Sequence, residues 1–192
     1  METQTRTRAE EQECIGKVLS GDSAAFGMLV DRYQKPLLSF IYNRLRDPGR
    51  VEDIGQETFI KAYRALGSHD PARASFSTWL YAIARNACID EMRRPALVET
   101  GLDDLDESLL PTREGDREAG FVRLERALAA LPEEQQEIFD LVCTQGLALD
   151  EAAVIADCPI GTVKSRLNRA REALRRTVLG TTAFPEGTHG KT

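Results

Sequence analysis

The chain has 192 residues, 42% of them hydrophobic, and a net charge of −6, which suits one or two small domains with packed cores. Residues 97–118 hold eight acids against two arginines, a local net of −6, so the remainder is neutral overall with its positive charge gathered in the last predicted helix. That distribution excludes a uniform polyanion-binding surface and leaves local recognition open.

Strand-like alternation is nearly absent, and the reading is all-α. Residues 1–12 are polar and are expected to fray. Gly21-Asp22-Ser23 gives a helix start, followed by Phe26, Leu29, Val30, Tyr33, Leu37, Ile41 and Leu45 at three- and four-residue steps. Pro36 lies inside this run and predicts a kink or a break. Asp47-Pro48-Gly49 ends it. A second helix runs from about Val51 to Leu66, with Ile54, Thr58, Phe59, Ala62, Tyr63 and Leu66 on one face and Gly67 as its cap. A polar loop, 68–77, carries Arg73. A third helix starts near Phe76 and holds an aromatic cluster of Phe76, Trp79 and Tyr81. A fourth, Ala87–Arg94, ends at Pro95. An acidic, flexible linker follows.

A second helical domain begins at Phe121. Val122, Leu124, Leu128 and Leu131 mark its first helix, and Pro132 opens the next, with Ile138, Phe139, Leu141 and Val142. A short helix, Asp150–Ala156, then a turn and a basic helix from Pro159 complete the domain. Val163, Leu167, Ala170 and Leu174 form the apolar stripe of the last helix, while Lys164, Arg166, Arg169, Arg171, Arg175 and Arg176 face Glu172 alone in charge. Two short helices, a tight turn and a basic second helix make a helix-turn-helix, whose second helix enters the DNA major groove. A solvated surface with a few ion pairs is the alternative for that helix. Gly180–Thr192 is a polar tail.

The cysteines Cys14, Cys88, Cys143 and Cys158 form no CxxC pair, and with His69 and His189 they give no metal-ligand spacing. No metal, other cofactor, catalytic residue or small-molecule substrate is expected. Lone cysteines on helices read as small core residues; a redox role for Cys158, in the turn, is the alternative. No signal peptide or membrane-spanning run of about 20 apolar residues is present, so the chain is expected in the cytoplasm with reduced thiols.

Two sets of residues match one family. The first is Asp53-Ile54-Gly55-Gln56-Glu57-Thr58-Phe59, then Phe76-Ser77-Thr78-Trp79-Leu80-Tyr81-Ala82-Ile83-Ala84-Arg85-Asn86, then Ile89-Asp90-Glu91-Met92-Arg93-Arg94. The second is Ala130-Leu131-Pro132-Glu133-Glu134-Gln135-Gln136-Glu137-Ile138-Phe139, then Gly161-Thr162-Val163-Lys164-Ser165-Arg166. In this order and spacing the chain resembles a bacterial sigma factor of the extracytoplasmic-function group, of the sigma-E type, over roughly residues 10–178. The resemblance implies binding to core RNA polymerase, reading of two promoter elements and help in melting the upstream edge of the bubble. It divides the chain into a region 2 domain at 10–95, a linker at 96–120, a region 4 domain at 121–178 and a disordered tail at 179–192. It also implies an anti-sigma factor, often membrane-anchored, that clamps both domains and holds the chain at the inner membrane. The apolar surface around Phe139, Leu141 and Val142 is the expected docking site.

By the same resemblance, Gln56 and Glu57 belong to the polymerase-binding motif, with Asp53 and Arg64 facing outward beside them. A solvated face with a Glu57–Lys61 ion pair is the alternative. Asn86 aligns with the family position that holds a flipped −10 base, and an amide both donates and accepts at a base edge; a helix C-cap is its alternative role. Arg73, Trp79, Tyr81, Arg93 and Arg94 are assigned to the single-strand path, with a core role for Trp79 at least as well supported. Arg85 receives no role. For the −35 element, Lys164, Ser165, Arg166, Asn168 and Arg169 read bases, because Lys and Arg suit guanine O6/N7 and Asn suits adenine N6/N7. Arg171, Arg175 and Arg176 hold phosphates, and Thr162 with the helix N-terminus contacts phosphate too. The linker's acids either occupy a basic channel of the polymerase or serve as a soluble tether.

A DNA-binding regulator that does not join polymerase is one rival reading, disfavoured by the Asp53/Gln56/Glu57 block. A helical metalloenzyme using Asp53 and Glu57 is another, disfavoured because neither histidine sits in a Glu-x-x-His pair.

Overall fold

Eight helices make up the described residues, 2–94 and 124–179, of this computed structural model. The linker and the tail lie outside them. Helix α1 spans Glu2–Leu19, α2 Phe26–Leu45, α3 Pro48–Ala65 and α4 Phe76–Arg93. In the C-terminal half, α5 covers 124–129, α6 Glu133–Phe139, α7 Leu149–Ile155 and α8 Ile160–Leu179.

The N-terminal segment departs from its expected fraying. Helix α1 begins at Glu2, and its inner face buries Glu11, Cys14 and Ile15. The Glu11 carboxylate accepts the Tyr33 hydroxyl proton at 2.5 Å and pairs with Arg32 at 3.3 Å. A buried acid with two partners anchors the helix where the sequence offered only polarity.

Pro36 neither breaks nor ends α2. A proline inside a helix costs about 3 kcal/mol. Leu37 beside it and Phe40 and Ile41 one turn on, all fully buried, outweigh it. The Asp47-Pro48-Gly49 stop is also a start. Arg46 closes α2 with φ 54°, and Asp47 caps α3, accepting the Gly49 N–H at 3.0 Å with Pro48 in the first turn. Helix α3 lies so close to α2 that a Cβ on Gly55 would meet Leu38 Cδ2 at 2.5 Å.

The expected third and fourth helices are one. Helix α4 runs unbroken from its Ser75 cap to Arg93 because Phe76, Leu80, Tyr81, Ala84, Ala87 and Cys88 keep one buried stripe throughout. The helix-turn-helix is as expected to within a residue or two. Glu151 closes the start of α7 by accepting the Ala148 N–H at 3.1 Å, and Asp157 takes the left-handed conformation, φ 49°, in the turn before α8. Between α6 and α7, Asp140–Thr144 forms one π turn, closed by the Gln145 N–H on the Asp140 carbonyl.

The two halves pack directly on each other. One hydrophobic cluster runs from Leu37, Phe40 and Tyr81 in the first half to Ile138, Leu141, Ala152 and Val163 in the second. The chain thus has a defined closed arrangement where the sequence left the relative placement open. The apolar surface expected around Phe139, Leu141 and Val142 is spent here: Leu141 is fully buried and the other two pack against the same cluster.

Candidate functional site

Three surfaces carry the residues singled out by sequence. The first is the outer face of α3. Asp53, Gln56 and Arg64 are exposed and Glu57 is half-exposed, with Ile60 and Tyr63 exposed among them. Helical spacing places Asp53, Gln56, Glu57, Ile60 and Arg64 within one arc of the helix. Glu57 pairs with Lys61 at 2.8 Å, an exposed i,i+4 bridge worth about 0.3–0.5 kcal/mol, weak enough to be exchanged for a partner. The face mixes charge with two exposed apolar side chains, as protein interfaces do.

The second surface is on α4 and the loop before it. Asn86 is exposed in mid-helix, and its amide makes no hydrogen bond among the described residues. Its helix continues to Arg93, so the C-cap role falls away. Arg73 and Arg93 are exposed, and Arg94 pairs with Glu91 at 3.0 Å. Trp79 is half-buried against His69 and Phe76, at centroid distances of 5.2 and 5.9 Å, which matches its core reading. Tyr81 is off any strand path in this arrangement. It is 3% exposed, its ring meets Phe40 edge-on, and its hydroxyl donates to Gln145 Oε1 at 2.8 Å. Burial raises its phenol above the usual range, so it stays a neutral donor.

The third surface is α8. Val163, Leu167, Ala170 and Leu174 are buried, while Lys164, Ser165, Asn168, Arg169, Arg171, Arg175 and Arg176 are exposed. These seven share one broad face, as a major-groove helix requires. Arg166 departs from it. Its guanidinium turns back to Glu134 on α6 at 2.5 Å, bracing the recognition helix. Thr162 spends its backbone N–H on Pro159, so only its side chain remains for a phosphate.

Between the halves lies a polar seam that the sequence did not announce. Glu137 on α6 is 5% exposed and receives Arg44 at 3.1 Å and Arg85 at 2.6 Å; Arg44 also pairs with Glu133. Asn43 donates to Asp140 Oδ1 at 3.1 Å. Gln145 joins Tyr81 to that same oxygen. Glu151 accepts the hydroxyls of Ser75 and Thr78 at 2.7 and 2.8 Å. Arg85 stands inside a quoted motif and Arg44 outside all of them, yet only their partners 52 or more residues away give either of them a place in the seam.

Burial pushes the Asp140 carboxyl above its ordinary range, against hydrogen bonds from Thr144, Gln145 and Asn43 and the nearby Arg44 charge. Its second oxygen has no partner. An acid whose pKa rises on folding stabilises the fold while protonated, and that contribution is lost as pH rises through the raised value. Asp140→Asn should therefore gain in thermal midpoint over wild type as pH rises above the ordinary carboxylate value of about 4. A wild type that gains on the variant as pH rises would show instead that the carboxylate is the favoured form. Burial also pushes the Cys88 thiol to about 11, so it packs as an inert core residue.

Residues 29–96 match the family model described as Sigma-70 region 2, and residues 121–174 match that described as Sigma-70, region 4. The chain is 33% identical over 185 residues to the RNA polymerase sigma-H factor of Pseudomonas aeruginosa, spanning 90% of this chain and 95% of that one. It is 36% identical over 181 residues to the ECF RNA polymerase sigma-E factor of Salmonella typhimurium, spanning 88% and 94%. Its fold resembles that of the sigma factor RpoE in its co-crystal with the anti-sigma factor NepR from Bartonella quintana. There the TM-score is 0.63 at 24% identity, covering 82% of this chain and 98% of the other.

Proposed function

The chain belongs to the sigma-70 family, in its extracytoplasmic-function group, and from that premise we propose how its surfaces divide the work of an alternative sigma factor. It binds core RNA polymerase and directs promoter-specific initiation. Members of this family are not, in general, enzymes, and this chain supplies specificity while the polymerase supplies catalysis. The observation that carries the reading is the pairing of both family regions with an exposed basic recognition helix on the second. A regulator that never joins polymerase has no use for the first region.

In this division, residues 10–95 grip the polymerase and handle the −10 element, 96–120 link, and 121–178 read the −35 element. The α3 arc of Asp53, Gln56, Glu57 and Arg64 meets the polymerase. Asn86 takes the extruded −10 base, with Arg73, Arg93 and Arg94 near the backbone. Lys164, Ser165, Asn168 and Arg169 read −35 base edges, Arg171, Arg175 and Arg176 hold phosphates, and Arg166 positions the helix. An anti-sigma factor holds the chain inactive, in line with the co-crystal of the similarly folded Bartonella quintana RpoE with its anti-sigma factor NepR, and that partner holds the chain at the inner membrane. No described helix is long and apolar enough to cross a membrane.

Run-off transcription with purified core polymerase on a promoter pool tests the function. Selected initiation from a small set of sequences is expected; transcripts without promoter preference would refute it. Glu57→Lys should weaken core binding about tenfold or more, since a like-charge contact replaces an attractive one at an interface. Its thermal midpoint should stay within about 2 °C of wild type because the lost bridge is exposed. Unchanged affinity would remove Glu57 from the contact.

A further inference from the structure

We propose that Glu134, an acid of α6 with no assigned contact to DNA or polymerase, is a specificity-determining positioning residue: it holds Arg166 away from the DNA phosphates and so keeps α8 seated for reading −35 bases. The inference rests on the proposed −35 role of α8 and deepens it.

The six cations of α8 are not equivalent. Among the described residues, Lys164 and Arg169 make no ion pair. Arg175 and Arg176 face Glu172 of their own helix, at 4.0 and 3.7 Å. Arg171 donates to the Cys143 sulfur at 3.6 Å, a weak acceptor that a phosphate oxygen displaces readily. Of the six, and among the described residues, Arg166 alone is paired with an acid of another helix, at 2.5 Å. Its side chain is 21% exposed and that of Glu134 is 68% exposed, so the pair lies at the edge of the DNA-facing surface and the acid is its outer member.

The core holds both partners in place. Glu134 stands in the first turn of α6. One turn on, Ile138 is fully buried in the same cluster as Val163 and Leu167 of α8. Phe139 packs on the cluster that holds Ala170 and Leu174. Gln136 fixes the start of α6 by donating to the Leu131 carbonyl at 2.7 Å. Carboxylate and guanidinium therefore project from two helices that do not shift against each other, and the planar guanidinium has little freedom to lose on pairing.

An exposed ion pair adds little to stability. Its larger effect is on what Arg166 can reach. At about 100° per residue, Arg166 lies about 60° round the helix from Arg169 and about 160° from Lys164 and Asn168, so it marks one edge of the reading face. An unpaired arginine at that edge takes a phosphate of any sequence. Such a contact draws α8 toward one strand and rolls Lys164 and Asn168, at the far edge, off the bases. The Glu134 carboxylate neutralises the cation and meets an approaching phosphate with a like charge. Selectivity then comes from withholding one contact from every sequence, which leaves the base-reading side chains to decide.

Salt titration of DNA binding by the full-length chain reads the release of Arg166, because each phosphate contact adds about 0.9 to the slope of log K against log salt. Two duplexes are compared: one that the wild-type chain selects from a random pool, and a scrambled version of it. Glu134→Gln should steepen the slope on the scrambled duplex by about 0.9 and raise affinity for it roughly eightfold at about 0.1 M salt. Affinity for the selected duplex should rise less, so the ratio of the two falls severalfold. Holoenzyme carrying the variant should initiate from a correspondingly broader set of −35 sequences. Glu134→Asp keeps the carboxylate and should stay near wild type. Adding Arg166→Met to Glu134→Gln removes the cation, and the slope should return to the wild-type value. A merely structural brace predicts equal losses on both duplexes, an unchanged slope and a lower thermal midpoint. That pattern, an unchanged slope and ratio in Glu134→Gln, a steeper slope that persists in the double variant, or a wild type that selects no sequence would overturn the proposal. A wild type that selects a duplex but never binds core polymerase counts against the sigma-factor reading alone, because the two titrations still decide what Glu134 does.

Discussion

Phe40→Ala should lower the stability of the chain by about 3–5 kcal/mol, the usual cost of emptying a buried aromatic site. Phe40 is 0% exposed on α2, and its ring meets that of Tyr81 edge-on at 5.2 Å and 89°. Such a pair adds about 0.5–1.5 kcal/mol beyond burial. For a chain of this size the midpoint should fall by roughly 10–15 °C. The effect reaches past the local cavity. Tyr81 rests on Phe40 and holds Gln145 of the C-terminal half, so loss of the ring frees the tyrosine that spans the seam. Met28→Ala on the same helix is the control: Met28 is 58% exposed and should change stability by no more than about 0.5 kcal/mol. A drop of less than about 2 °C for Phe40→Ala would mean that this site collapses freely and is not the keystone described here.

The helices were legible wherever a stripe was long and periodic. Leu29, Leu37 and Ile41 marked α2, Ile54, Thr58 and Ala62 marked α3, and Val163, Leu167, Ala170 and Leu174 marked α8; all are buried. Punctuation was read less well. Pro36 and the region around Asn86 looked like breaks because local rules weigh a residue against its neighbours, while the outcome is set by burial of the next turn. Helix α1 was missed because its anchor, Glu11, is polar, and its partners Arg32 and Tyr33 lie 21 and 22 residues on.

The outward faces of α3 and α8 follow directly from their inward stripes, which is why Asp53, Gln56, Lys164 and Asn168 were found exposed as expected. The exceptions share one cause. Tyr81 and Arg166 had the right chemistry for DNA, and each is turned inward by a partner from a distant segment, Gln145 and Glu134. Arg85 had no assigned role for the same reason. Long-range pairing of polar side chains leaves no periodic signal, so the seam between the halves emerges only from the fold.

The outer face of α8 is exposed in this arrangement, while α7 is packed on α4 through Glu151. Asn86 is exposed in the same arrangement.

Asn86→Ala should impair open-complex formation by about a hundredfold while leaving closed-complex binding and folding intact. Extruding a base costs a few kcal/mol, and the receiving pocket must return it through hydrogen bonds and stacking. The Asn86 amide makes no hydrogen bond among the described residues and lies seven residues before the end of its helix. Alanine removes no packing there and is the better helix former by several tenths of a kcal/mol, so the variant should melt at or slightly above the wild-type midpoint. A structural role predicts the reverse, a destabilised helix with melting of DNA lost only in proportion to folded protein. Permanganate footprinting on the promoter, with thermal melting of the same preparations, separates the two. Asn86→Asp keeps an acceptor, loses the donor and adds a negative charge beside a polyanion, so it should melt promoter no better than alanine does. Normal permanganate reactivity in Asn86→Ala would remove the base-pocket role from this residue and leave the exposed amide without a function on α4.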